Sequence, residues 1–275
     1  MQNRKFARIG RLDSAARVLL VPIVLLLCVA GQACTPEPPK PTTENLAISD
    51  ELWRSANHGR VPLREDGYFE FPPGVERVMV DVGAYKLRQS LRFVRKTKNT
   101  GVVAIEPMRE PWAEWPDNPR IVGIPAAVSL ERGSIDFNIN SIDVTSSVLD
   151  TGNGGLSSPT TEVRRVPSVR LEDILHRIPP GLDIFLLKTD VQGLDLAVLM
   201  SGGDQLGRAA KVLTEIDLSG SYVGDGPGED ATEEEFDRYM ASQGFARIPG
   251  EPDEYLRSKK WYIDAVYEQD SRAGE

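Results

Sequence analysis

A chain of 275 residues, 40% hydrophobic and 27% charged, is long enough for one sizeable domain and ordinary in composition for a globular one. Its formal net charge is −9, and Arg4, Lys5, Arg8, Arg11 and Arg17 gather near the N-terminus, so the body is more acidic still and shows no clustered basic surface of the kind nucleic acid requires. Two histidines (His58, His176) and two cysteines (Cys28, Cys34) speak against a His/Cys metal centre.

Residues 1–13 are basic and polar, and an apolar run from Ala15 to Ala33 follows, broken only by Arg17, Pro22 and Gln32. A basic region before such a run is the pattern of a signal peptide. Its centre, Val18 to Gly31, is short of the ~20 residues of a spanning helix. Cys34 follows Gly31-Gln32-Ala33 and precedes TPEPPKPTTE, an order similar to a bacterial lipoprotein signal. Three outcomes stay open for residues 1–34: a lipoprotein or otherwise cleaved signal, an uncleaved membrane anchor, or a plain apolar N-terminal helix. Either of the first two makes the chain membrane-associated or exported, which is the expectation. Residues 35–49 form a Pro-rich linker and 50–275 the folded domain. No cysteine lies beyond Cys34, so disulfides play no structural part in that domain.

Within the domain, Asp66 to Phe71 reads as a short strand entering the Pro72-Pro73-Gly74 turn. Val78 to Val82 is an apolar strand running into Gly83, and Leu87 to Lys98 has helical spacing at Leu87, Leu91 and Val94. Gly101 to Glu106 is a second buried strand, ended by a carboxylate and Pro107. The Pro-rich stretch after it allows only a short helix. Ile121 to Val128 is a third strand region, and Ser134 to Ile139 alternates as a half-exposed strand does.

Residues 146–162, rich in Gly, Ser and Thr, read as a mobile loop. Val163 to Val169 reads as a strand, and Leu171 to Ile178 as a helix stopped by Pro179-Pro180. Leu182 to Asp190 and Val212 to Ile216 are further core strands, with Leu194 to Met200 helical between them. Thr232 and Glu235 form a capping-box pattern before an apolar face of Phe236, Tyr239 and Met240. Trp261 to Tyr267 is the last strand and a candidate antiparallel edge. Buried strands alternating with helices imply an α/β sheet covered on both faces.

Ligands of such sheets bind beyond the carboxyl ends of the strands. Those ends carry Asp81, Gly83 and Ala84, then Glu106 and Pro107, then Ala126 and Ala127, then Lys188 and Asp190, then Glu215. Gly83 permits a tight turn and a close backbone approach. A carboxylate at the end of the second strand can accept two hydrogen bonds from a ribose diol.

Taken in order, these segments resemble the FkbM family of S-adenosylmethionine (AdoMet)-dependent methyltransferases. VMVDVGAYKLRQSL is similar to the family's cofactor-binding opening, GVVAIEP to its second strand, IPAAVSLERGSIDFNI to its alanine-containing strand and hairpin, and VPSVRLEDIL to its Val…Leu-Asp segment. LDIFLLKTDVQGLDLAVLMSG resembles the hallmark strand ending Lys-x-Asp-x-Glu/Gln-Gly, and VLTEIDL and Gln243-Gly244-Phe245 follow in order. The resemblance covers roughly residues 75–267.

It implies a Rossmann-like class I methyltransferase fold, a mostly parallel seven-stranded sheet with an antiparallel edge strand. AdoMet would lie against Asp81, Gly83, Ala84, Glu106, Pro107 and Ala127, with Glu106 on the ribose. The implied acceptor is a hydroxyl of a sugar, glycolipid or secondary metabolite. Methyl transfer needs alignment first, and a hydroxyl acceptor gains from a general base. Asp190 is the first candidate, Lys188 would hold it ionised, and Glu215 is the second. Lys188 and Asp190 also fit a buried ion pair that fixes the turn into Gly193, and Asp195 is expected to cap or pair locally.

The chain departs from the family's Asp-x-Gly-Ala-Asn-x-Gly opening at two positions, Tyr85 for the asparagine and Leu87 for the second glycine. If those side chains fill the cofactor space, the fold serves only as a non-enzymatic binding module. If they leave a cavity open, it is an active methyltransferase. A third reading, another nucleotide on a Rossmann sheet, is disfavoured because no Gly-x-Gly-x-x-Gly loop follows the first strand.

Overall fold

The computed structural model describes residues 63–153, 158–249 and 261–270. The expected signal or anchor over 1–34 and the linker over 35–49 lie outside them. Among the described residues no helix is long and apolar enough to cross a membrane.

The main sheet has seven strands. In chain order they are β1 (Arg77–Val82), β2 (Thr100–Ile105), β3 (Ile121–Ile124), β8 (Asp183–Thr189), β9 (Lys211–Asp217), β11 (Phe245–Arg247) and β12 (Tyr262–Gln269). Their spatial order is β11-β12-β9-β8-β1-β2-β3. Pairings from β9 to β3 are parallel, and β12 runs antiparallel to both its neighbours. The final strand is therefore antiparallel, as expected, but it lies second from the edge. The three-residue β11, which closes that edge, has too few residues to show alternation.

Strand alternation sends side chains to two cores. Val78, Val80 and Val82 of β1 join Val103 and Ile105 of β2 on one face. Helices α3 (Leu171–His176) and α4 (Asp195–Met200) cover that face through Leu171, Ile174, Leu196 and Leu199. Met79, Val102 and Ala104 face the other way, against Leu87 and Val94 of the segment containing α1 (Arg88–Lys96). Between β2 and β3 runs the four-residue helix α2 (Arg109–Trp112). Helix α5 (Glu233–Ser242) starts at the expected capping box, with Thr232 and Glu235 each bonding the other's backbone amide.

Three expectations change. Asp66 to Phe71 forms only a single bridge, Leu63 to Phe69, because the Pro72-Pro73 turn follows at once. The region Ile121 to Val128 divides, so that β4 (Ala127–Val128) leaves the main sheet. It joins a second sheet of three strands, β4-β7-β5, with β5 spanning Gly133–Asn140 and β7 Thr160–Val169. The stretch 146–162 is not simply a loop: β6 (Asp150–Thr151) pairs with β10 (Tyr222–Val223), and β7 begins at Thr160. This second sheet carries residues 141–148 to the carboxyl edge of the main sheet.

Candidate active site

The carboxyl ends of the main strands surround a cavity of about 330 Å³. Gly83, Glu106, Pro107, Ala127, Asp190 and Glu215 all line it. Asp81, Ala84 and Lys188 do not. Ala84 is buried in the core beneath α1, and Asp81 and Lys188 lie behind the wall, 1% and 6% exposed.

At one part of the wall stands Glu106. Its Oε2 accepts the Tyr85 backbone amide and its Oε1 the Met108 amide, both at 2.9 Å. Burial pushes its carboxyl up to about 7, against the pull of those two amides. The indole nitrogens of Trp112 and Trp115 donate to the carbonyls of Glu106 and Tyr85, at 2.9 and 2.6 Å, and the two rings stack at 4.3 Å. This buttress falls in the Pro-rich stretch, where the sequence carried no signal for it.

The other acids stand just after β8 and on β9. Lys188 is the register partner of Asp81 across the β1–β8 pair. Its ammonium lies 3.4 Å from Asp81 Oδ1 and 3.1 Å from Asp190 Oδ2, and Ser90 Oγ donates to Asp81 Oδ2 at 2.5 Å. Burial alone would lower the Lys188 pKa, but the two carboxylates outweigh it and hold it above the ordinary value. The buried pair and the candidate base are thus one arrangement. Asp195 closes the turn after β8 by accepting the Val191 amide at 3.3 Å, as expected of a local partner. Burial, then the charge of Asp190, raises Asp195 to about 7. Glu215 is driven well up by burial first and then by Asp190, Asp195 and Asp264.

Two cavity residues were not expected. Gln192 bridges Asp190 and Glu215, donating at 2.8 and 3.3 Å. It stands in the Lys-x-Asp-x-Gln-Gly hallmark itself, which was the available signal. Asp143 accepts the Tyr85 hydroxyl at 2.6 Å, and nothing in the sequence marks that partner.

The departures from the family pattern separate in space. Leu87, with φ 58, points into the core and is 0% exposed. Tyr85, with φ 43, forms part of the cavity wall. Neither closes the cavity.

This strand order, with a cavity at the carboxyl ends and an acid ending the second strand, defines a Rossmann-like class I methyltransferase fold. The family model described as "Methyltransferase FkbM domain" matches residues 81–246, and the chain belongs to that family of AdoMet-dependent methyltransferases. Among solved structures, similarity extends to the 1,6-didemethyltoxoflavin-N1-methyltransferase of Burkholderia thailandensis, at 12% identity and TM-score 0.35 over 85% of this chain and 92% of that one. A 16S rRNA (adenine(1408)-N(1))-methyltransferase from Catenulisporales acidiphilia matches at 14% identity and TM-score 0.38, over 71% and 86%. No curated protein sequence matches.

Proposed function

We propose that the chain methylates a hydroxyl of a sugar, glycolipid or hydroxylated small metabolite, with Asp190 as the general base. The observation that carries this reading is that Asp190 and Glu215 line the same cavity as Gly83 and Glu106. One group of residues suits a nucleoside and the other a hydroxyl.

The residues present fit AdoMet. Glu106 spends one hydrogen bond per oxygen on backbone amides, and each carboxylate oxygen has a second lone pair to offer a ribose diol. Val82, Ile105 and Ala126 give the cavity an apolar floor. When bound, AdoMet supplies a methyl group on a positively charged sulfur.

The chain's task is then alignment and proton removal. Asp190 would accept the proton of the acceptor hydroxyl, and Lys188 balances the charge of Asp190 beforehand. Glu215, which binds a proton more readily than an ordinary carboxyl, would hold a second acceptor group by donation. Asp81 acts through Lys188, since it does not reach the cavity.

The test is incubation of the full chain with methyl-labelled AdoMet and a panel of alkyl glycosides, glycolipids, hydroxylated aromatics and amines. Label on an oxygen of the acceptor, lost in Asp190→Asn, supports the reading. Label found only on amines overturns the acceptor class. No binding of S-adenosylhomocysteine at all would favour the binding-module alternative.

A further inference from the structure

Gln192 occupies a backbone position that a side chain rarely adopts. Its φ is 60, and Gly193 after it has φ 88. Left-handed residues other than glycine are uncommon, and where they persist the surroundings must hold them. Here three separate segments do so. Ser147 Oγ donates to the Gln192 carbonyl at 2.8 Å, and the Asp230 amide donates to the Gly193 carbonyl at 2.9 Å. Tyr222 packs so closely on Gly193 that a Cβ there would come within 2.9 Å of its own Cβ.

The side chain held this way has a single sensible orientation. The amide nitrogen faces two carboxyl oxygens, Asp190 Oδ1 at 2.8 Å and Glu215 Oε1 at 3.3 Å, and donates to both. The amide oxygen accepts the Tyr222 hydroxyl at 2.7 Å. A glutamate at this position would have no N–H to give and would add a third acid to the pair. Glutamine therefore tethers Asp190 to Glu215 without adding a charge beside them.

We infer that Gln192 is the positioning residue of the acceptor end: its amide ties Asp190 to Glu215 and orients them toward the cavity, and the strained turn beneath it serves to keep that amide in place. The inference rests on the reading of Asp190 and Glu215 as the acceptor end. Other ionisable groups around the pair are Lys188 from the end of β8, Asp81 from β1 through Lys188, Asp195 from α4, Asp264 from β12 and Tyr222 from β10. None of them bridges both carboxyls.

Gln192→Gly separates the two roles. Glycine accepts φ near 60 without strain, so the turn survives while the amide is lost. Gln192→Glu keeps the length and removes the donor. The readout is the carbon-13 spectrum, at one neutral pH, of the full chain labelled at its side-chain carboxyls, with Asp190 and Glu215 assigned through Asp190→Asn and Glu215→Gln. In Gln192→Gly the expected result is a denaturation midpoint no lower than that of the wild type and S-adenosylhomocysteine affinity within about twofold. The Asp190 and Glu215 carboxyl signals should move, and further in Gln192→Glu, while the other carboxyl signals hold. On an acceptor from the panel, kcat should fall about tenfold or more with the AdoMet KM unmoved. The inference is overturned if both signals stay in place in both variants, or if Gln192→Gly is destabilised and every carboxyl signal shifts. A wild type that transfers no methyl group overturns the acceptor reading instead, whatever the spectra show.

Discussion

A methyl group on Gly83 would lie 1.9 Å from the carbonyl oxygen of Asp190. The turns after β1 and β8 thus touch through a glycine. Besides lining the cavity, Gly83 makes a close approach to the neighbouring turn, with φ 77 as an added constraint. Gly83→Ala should force the two turns apart and shift Asp190. The expected loss is about 1–3 kcal/mol of stability from overpacking, with further cost from the positive φ. Urea unfolding measures it, and a variant as stable as the wild type would show that the turns yield freely.

Glu106 makes stability depend on pH and, if it holds the ribose as proposed, cofactor binding as well. Its folded value of about 7 exceeds the ordinary 4.5. Between those values the folded chain binds more protons than the unfolded one, so this contribution to stability falls as pH rises through that window, by up to about 3 kcal/mol. Glu106→Gln should flatten that slope. Donors from a ribose diol favour the ionised carboxylate, so S-adenosylhomocysteine affinity should rise about tenfold from about pH 6 to 8 and lose that rise in Glu106→Gln. Calorimetry at several pH values checks both statements, and a wild-type affinity independent of pH would contradict them.

Among the described residues Lys188 is the sole partner of Asp81 Oδ1, which accepts no hydrogen bond from them. Lys188→Met should strand that buried carboxylate and cost about 3–5 kcal/mol. Asp81→Asn added to it should recover part of the loss. Because the folded chain holds the ammonium above its unfolded value, the stabilisation is complete below the unfolded value. It is lost only as pH climbs through the folded one. Denaturant midpoints of the single and double variants decide the matter: equal losses in both would mean that the pair is not the source.

Most of the main sheet was legible in the sequence because its central strands read as apolar runs, as Val78 to Val80 and Ile184 to Leu187 do. The hallmark residues Lys188, Asp190 and Gln192 sit where that pattern breaks into polar groups. The second sheet was harder. β5 alternates visibly, but its pairing with β7 spans the Gly/Ser/Thr-rich stretch, and periodicity says nothing about partners so far apart. Side-chain direction at a left-handed residue was not legible either. Leu87 stands where the family has a glycine beside the cofactor, yet its φ of 58 turns the side chain under α1.

That direction decides what restoring the family glycine would do. Leu87→Gly removes a fully buried leucine from the core beside Val94 and Met79, a change worth about 2–5 kcal/mol. Relief of the positive φ returns only about 1 kcal/mol. The variant should be less stable and bind S-adenosylhomocysteine no more tightly. A gain in affinity would mean that Leu87 does obstruct the cofactor.

Asp190→Asn tests the proposed proton acceptor while keeping shape. The amide still fits between Lys188 and Gln192, but it has no charge to balance the ammonium and cannot take a proton from a hydroxyl. Methyl transfer to the acceptor should fall by about 10²–10⁴. Glu106, at the proposed nucleoside end, keeps its own backbone partners, so S-adenosylhomocysteine affinity should change by less than about threefold. Glu215→Gln should act more mildly, raising the acceptor KM more than it lowers kcat, because a primary amide still donates where the protonated carboxyl does. Steady-state kinetics on one acceptor distinguishes the two. If Glu215→Gln proves the more damaging to kcat, the base is Glu215 and Asp190 is its support.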